Sequence, residues 1–253
     1  MQALILAGGA GTRLRSVLGD NLNKPMAPIA GKPFLDYLIA RLQRQGIDDI
    51  ILCVGYKADL IQSYFGDGAR WGVHLSYSRE TDFLGTGGAL KLAQDLIYDD
   101  LFYVLNGDSF FDVDLDALAR FHRNAGAQAT LALARVENAA RYGAVRLDEE
   151  TGRIVEFAEK DETPRAGLIN GGVYLLTRAA LDQTPAGQVC SLEREVFPAL
   201  LAAGALYGQP FPGFFIDIGV PADYARLQAD PSPLDAQTAQ GKERSQERSQ
   251  ATW

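Results

Sequence analysis

The chain has 253 residues, 47% of them apolar, enough for one large domain or two small ones with a sizeable core and too apolar for wholesale disorder. A net charge of −8 excludes nucleic acid or an anionic membrane as a general partner, because their phosphates demand clustered Lys and Arg; any phosphate chemistry has to be local. Cys53 and Cys190 are too isolated for a disulfide framework or a zinc site, and no signal-like or membrane-spanning apolar run occurs, so the expectation is a soluble, cytoplasmic protein.

From the N-terminus, Ala3 to Ala7 is predicted as a strand, and it runs at once into Gly8-Gly9-Ala10-Gly11-Thr12-Arg13-Leu14. Such glycines let backbone N–H groups approach an anion without Cβ interference, which makes a phosphate cradle or, failing a ligand, a tight connection. A dinucleotide-binding loop would need glycine at Leu14 and a P-loop would need Gly-Lys-Ser/Thr, so neither pattern is met. Arg13 stands there instead, a guanidinium able to grip two phosphate oxygens of a leaving group. Lys24-Pro25 adds a second cation on an extended stretch, although a lone lysine also reads as a solvated surface residue.

Leu35, Leu38, Ile39 and Leu42 recur at helical spacing, with Pro33 placed to start the helix and Gly46 to end it. Ile50 to Val54 and Phe102 to Leu105 are further strands, and strands alternating with amphipathic segments imply βαβ units around a mainly parallel sheet. Asp108 comes just past the carboxyl end of the latter strand, where open α/β sheets place their ligands. A helix is predicted from near Asp114 with Leu115, Leu118 and Phe121 on one face and Gly126 past its end, which makes Asp112 and Asp114 loop and helix-start residues. Between Ala129 and Leu176 the turn signals Asp148 to Gly152 and Asp161 to Gly167 interrupt the apolar alternation, suggesting added antiparallel strands that form a lid or substrate subdomain. Ser191 reads as the N-cap of a helix towards Leu201, and Pro221 as the first residue of a last short helix. The domain is taken as 1–228, divided into a first half (1–128) and a second half (129–228). Residues 229–253, with a repeated Glu-Arg-Ser-Gln, are expected to be a disordered tail.

Asp217 lies between Ile216 and Ile218, where a carboxylate is costly unless a cation or donors compensate it. Mg²⁺ takes oxygen ligands and few protein carboxylates, so Asp108 and Asp217 from separate loops would suffice; without a metal they read as a turn aspartate and a buried aspartate bonded to backbone. In the second half Tyr142-Gly143, Glu159-Lys160 and Asn170-Gly171-Gly172-Val173-Tyr174 set polar groups beside strands or turns, and separately they mean little. His74 and His122 have no visible partners and read as structural or exposed.

Taken in order, the stretch Gly8 to Leu14, Lys24-Pro25, Leu84-Gly85-Thr86-Gly87-Gly88-Ala89 and Asn106-Gly107-Asp108 resemble the sugar-1-phosphate nucleotidylyltransferases, over residues 1 to about 228. Lys24-Pro25-Met26-Ala27-Pro28, Gly31-Lys32-Pro33-Phe34 and Phe215-Ile216-Asp217-Ile218-Gly219-Val220-Pro221 are most similar to bacterial guanylyltransferases acting on D-glycero-D-manno-heptose 1-phosphate, with mannose-1-phosphate guanylyltransferases as near competitors. The resemblance implies a Rossmann-like, mainly parallel sheet of the nucleotide-diphospho-sugar transferase type with an added antiparallel sugar-binding region. It implies Mg²⁺ held by Asp108 and Asp217, with Arg13 and Lys24 as catalytic cations. It also implies a nucleoside triphosphate against Leu6, Ala7, Gly8, Gly9, Gly11, Thr12, Arg13, Gly85, Thr86 and Gly107, and a sugar 1-phosphate against Gly143, Glu159, Lys160, Asn170 and Gly171.

The reaction expected is in-line attack of the sugar-phosphate oxygen on the α-phosphorus, giving an NDP-sugar and pyrophosphate with no protein nucleophile. GTP and heptose 1-phosphate are favoured, but base and sugar stay open, since a base is read largely by backbone and a heptose exceeds a hexose by one hydroxymethyl group. A homo-oligomer is compatible with the sequence and not specified by it. Two rivals stand beside this reading. One is a catalytically silent regulatory module on the same fold, against which the intact Arg13, Lys24, Asp108 and Asp217 count; the other is a nicotinamide-dependent oxidoreductase, against which the missing third glycine counts.

Overall fold

The computed structural model describes residues 1–9, 11, 22–139, 142, 144–157, 165–182 and 184–234. In chain order its strands are β1 (Ala3–Ala7), β2 (Pro28–Ile29), β3 (Lys32–Pro33), β4 (Asp49–Val54), β5 (His74–Arg79), β6 (Leu101–Asn106), β7 (Ser109–Phe111), β8 (Ala129–Val136), β9 (Val145–Leu147), β10 (Ile154–Phe157), β11 (Gly167–Thr177), β12 (Leu206–Phe211) and β13 (Phe215–Asp217). The helices are α1 (Phe34–Arg44), α2 (Ala58–Phe65), α3 (Gly85–Leu92), α4 (Leu115–Ala125), α5 (Phe197–Ala202) and α6 (Pro221–Ala229).

Seven strands form one sheet in the order β12-β8-β11-β6-β1-β4-β5, and every neighbouring pair is parallel except the two made by β11. The expected mainly parallel α/β sheet is therefore present, and the antiparallel addition enters it as β11, while β9 and β10 pair separately. Both halves of the chain contribute to this sheet. From β1 the chain steps outward through β4 to β5, then returns to β6 on the other side of β1. That reversal is a topological switch point, and it opens a crevice beyond the carboxyl end of β1.

The sheet is buried on both faces, as parallel sheets with covering helices are. Ala3, Ile5 and Ala7 point to one core, with Leu35, Leu38, Ile39 and Leu42 of α1, Ile61 of α2 and Leu118 of α4. Leu4 points to the other, with Leu90 of α3 and Phe197 and Leu200 of α5. The period of two along β1 thus sorts its side chains between layers. On α1, buried Arg41 reaches across to Asp112 (2.7 Å) and to the Val113 carbonyl (2.6 Å), tying the helix to the chain after β7.

Local signals set several element ends. Asp114 caps α4 by accepting the Ala117 N–H (2.9 Å), and Gly126 ends it at φ +62°, a left-handed conformation that glycine adopts without strain. The buried face of α4 is Leu115, Leu118, Ala119 and His122; Phe121 sits at its margin, half-buried, edge-on to Tyr207. His122 shares a 2.8 Å hydrogen bond with Thr130, and burial pushes its pKa down to about 4, so it is a neutral core residue; His74 is exposed. Ser191 accepts the Arg194 N–H at the start of a π-type turn (Leu192–Val196) that leads into α5.

Cys53 and Cys190 are both buried and free. Among the described residues no helix is long and apolar enough to cross a membrane. The expected end of the fold at residue 228 is corrected: α6 runs to Ala229, and Leu234 is completely buried in the first core, because one apolar side chain within the polar stretch finds room there. Residues 235–253 lie outside the described residues.

Candidate active site

Across the carboxyl ends of β5, β4, β1 and β6 the chain places Glu80, Gly55, Gly8 and Gly107 in turn, and backbone bonds lock the row together. Glu80 N donates to Val54 O (2.9 Å), Tyr56 N to Gly8 O (3.1 Å) and Gly107 N to Leu6 O (2.9 Å). Three of these four positions carry no side chain, and a cleft of about 360 Å³ opens above them. Leu6, Ala7, Gly8, Gly9 and Gly11 form one side of it, Asn106, Gly107 and Asp108 come from the end of β6 and Lys24 from the chain after the glycine loop, and Glu80, Phe83, Gly85, Thr86 and Glu193 form the other side.

Ten of the residues singled out in the sequence therefore line one cleft: Leu6, Ala7, Gly8, Gly9, Gly11, Lys24, Gly85, Thr86, Gly107 and Asp108. Thr12, Arg13, Gly143, Glu159 and Lys160 lie outside the described residues.

Lys24 opens a short 3-10 turn (Lys24–Met26) anchored by buried Pro25, and its Nζ donates to Asp108 Oδ2 at 2.9 Å. Asp217 arrives from a distant part of the sequence because β13 pairs antiparallel with β7, which sets it opposite Ser109, and Ile218 N donates to the Asp108 carbonyl (2.9 Å). A Cβ placed on Gly219 would stand 2.7 Å from Lys24 Nζ, 2.8 Å from Asp217 Oδ1 and 3.5 Å from Asp108 Oδ2. One cation and two carboxylates thus converge on a point that only glycine leaves open. Asp217 Oδ1 also accepts the Gly219 N–H at 2.7 Å. The two carboxylates offer only oxygen donors, which is the chemistry a hard ion with few protein ligands, such as Mg²⁺, requires.

The opposite wall is the start of α3. Gly87 and Gly88 donate to the Cys190 carbonyl (2.9 and 3.2 Å), and Cys190 N donates to Leu84 O (2.8 Å). Gly85 has φ +72°, and a Cβ there would meet the same carbonyl at 2.5 Å, so both conformation and space require glycine. Thr86 is placed differently from a simple ligand contact: its hydroxyl donates to Glu193 Oε2 (2.8 Å) and accepts Leu192 N–H (2.8 Å). The threonine latches α3 to the Ser191 segment.

On β11 the register shifts between Asn170 and Tyr174, a bulge of the kind that re-aims side chains near sites. Asn170 donates to the Tyr174 hydroxyl (3.0 Å) and accepts Gly172 N–H (2.9 Å), while Asn106 donates to the same hydroxyl (3.3 Å). Buried Tyr174 therefore joins the end of β6 to the stretch read as sugar-binding. Gly171 is buried, and the Phe111 ring occupies the space a side chain would fill. Asp112 and Asp114 are the Arg41 partner and the α4 cap, as expected.

Comparison with known proteins agrees with this geometry. Residues 2–232 match the nucleotidyl transferase family model. The chain belongs to the nucleotidyl transferase family. The mannose-1-phosphate guanylyltransferase of Mycobacterium tuberculosis is 42% identical over 91% of this chain, which spans 64% of that protein's length. The D-glycero-alpha-D-manno-heptose 1-phosphate guanylyltransferase of Campylobacter jejuni is 42% identical over 88% of this chain and 97% of its own. A crystal structure of HddC from Yersinia pseudotuberculosis complexed with GMP-PN superposes with a TM-score of 0.80 at 33% identity, covering 90% of this chain and 98% of that one.

This nucleotidyl transferase carries three cleft residues that motif reading missed: Glu80, Phe83 and Glu193. Glu80 is 9% exposed; its Oε2 accepts Leu84 N–H (3.1 Å), and burial pushes its pKa up against the opposing effect of that bond. The signal that would have found it is its place at the end of β5, a strand whose polar composition hid it. Glu193 accepts hydroxyls from Thr86 and Ser191 (2.8 and 3.0 Å), and nothing in its local sequence marks it.

Proposed function

We propose that this chain transfers a guanylyl group from GTP to the phosphate of a D-glycero-D-manno-heptose 1-phosphate, in the cytoplasm, with Mg²⁺ as cofactor. The observation that carries the reading is the convergence of Lys24, Asp108 and Asp217 beside a side-chain-free row at the switch point of the sheet. The Campylobacter jejuni relative supports the heptose, and Glu80 supports the base. Guanine presents N1–H and N2–H side by side, a pair that one carboxylate can accept, whereas adenine presents an acceptor at N1.

In this reading the triphosphate lies along Gly8, Gly9 and Gly11 with its base towards Glu80 and α3. The sugar-phosphate oxygen forms a bond to the α-phosphorus as the bond to the β-phosphate oxygen breaks, and pyrophosphate departs towards Arg13 and the glycine-loop amides. Lys24 holds positive charge at that phosphate and orients Asp108. Asp108 and Asp217 would hold Mg²⁺, which when bound neutralises charge on the transferring group. Gly143, Glu159, Lys160 and Asn170 form the sugar side. Positioning and charge neutralisation are the whole of the catalysis.

A second reading, mannose 1-phosphate as acceptor, is favoured by the equally similar Mycobacterium tuberculosis relative. A pyrophosphate-release assay crossing GTP, ATP, CTP and UTP with heptose, mannose and glucose 1-phosphates tests both. The proposal expects the highest kcat/KM for GTP with heptose 1-phosphate. Preference for mannose 1-phosphate selects the second reading, and no release from any pair removes the enzymatic one.

A further inference from the structure

We infer that Phe83 is a specificity-determining residue whose ring is the platform on which the purine of the nucleotide stacks. The identity of the ligand rests on the guanylyl-transfer reading above; the site rests on the following observations. Phe83 is 65% exposed. A single exposed aromatic is ordinary on a protein surface, so what matters is its place. It lines the 360 Å³ cleft and also an adjoining cavity of about 770 Å³, and the two share Gly8, Gly11, Glu80 and Phe83 as common walls.

Two of those shared walls are glycines, Gly8 against the Glu80 carboxylate and Gly11 against the Lys24 stem, and the other two are an aromatic ring and that carboxylate. Glu80 is tied to Phe83's neighbour by the Leu84 N–H bond, and the first turn of α3 follows at once. A flat heteroaromatic ring with donors and acceptors on its edge satisfies this set: its face against Phe83, its donors towards Glu80, and a carbonyl towards the Gly85 and Thr86 amides, since those of Gly87 and Gly88 already donate to the Cys190 carbonyl. The other aromatic of the adjoining cavity, Tyr56, already has Lys57 Nζ over its ring at 5.3 Å. Among the described residues no ring or cation covers Phe83 in this way. Stacking grows with the area of the π-face, so Phe83 selects purine over pyrimidine, while Glu80 chooses among purines.

The test compares Phe83→Ala, Phe83→Leu and Phe83→Trp in the full-length protein. Loss of one base–aromatic stack weakens binding roughly 10- to 100-fold. Phe83→Ala and Phe83→Leu should therefore raise KM for GTP at least about tenfold with kcat within about twofold and KM for the sugar phosphate unchanged. Phe83→Trp should restore KM, and GDP should quench its added indole emission beyond any change in the parent, which already holds Trp71 and Trp253. Unchanged KM for GTP in Phe83→Ala, together with no added quenching in Phe83→Trp, overturns the inference. A change in mass by light scattering with unchanged KM also overturns it, because the ring then serves a contact between copies. A parent protein inert towards GTP but active with UTP or CTP would instead sink the guanylyl reading, and with it purine selection by Phe83.

Discussion

Lys24 Nζ stands 2.9 Å from Asp108 Oδ2, joining the chain after the glycine loop to the end of β6, with the lysine side chain 13% exposed and the aspartate 35%. Asp108→Ala and Lys24→Met should each lower kcat by about 10²- to 10³-fold, the scale for removing one preorganised charge. Chelation by EDTA should stop the parent enzyme reversibly. Near-normal pyrophosphate release by purified Asp108→Ala with Mg²⁺ present would refute the metal assignment.

Gly219→Ala is a milder probe of the same point. Its Cβ would press on Lys24 Nζ and Asp217 Oδ1, both ends of side chains that can swing away, so the fold should survive. Turnover should fall roughly 10- to 100-fold through misplacement of the charged groups, while the melting temperature moves by only a few degrees. A fully active Gly219→Ala would show that the convergence is not used.

Glu80 makes a pH prediction. Burial raises its pKa, so on acidification it takes up a proton before an exposed carboxylate does, and the neutral acid no longer accepts two donors. KM for GTP should rise as the pH falls through that raised pKa. Glu80→Gln should give a high KM for GTP at every pH and a flatter profile; a parent-like profile in the variant would assign the titration elsewhere.

His122 makes a stability prediction of known sign. Its folded pKa is about 4 against an ordinary value of 6.5, so the unfolded chain binds the proton more readily between these values. The contribution is fully present above about pH 6.5 and is lost as the pH falls towards 4, amounting to ~3 kcal/mol across that window. Urea denaturation from pH 7 to pH 4.5 should show this slope in the parent and a shallower one in His122→Leu. Equal slopes would contradict the burial of a neutral imidazole.

The parts of this protein legible in its sequence are those set by neighbours along the chain. β1 is read from a run of apolar residues, α1 from apolar residues three and four apart, the α4 cap from Asp114, and the cleft edge from glycines that follow strands directly. These are contacts within a turn or two, and residue type alone dictates them. The meeting of Asp217 with Asp108 was legible only through resemblance, because strand pairing between β7 and β13 leaves no periodic trace in either segment. Tertiary structure alone decided Glu80, Phe83 and Glu193, the latching of the Thr86 hydroxyl, the packing role of Gly171 and the burial of Leu234. Those assignments depend on which strand lies beside which and on what space the sheet leaves over its edge. Both follow from hydrogen-bond register and close packing between distant segments, which the order of residues within any one segment does not encode.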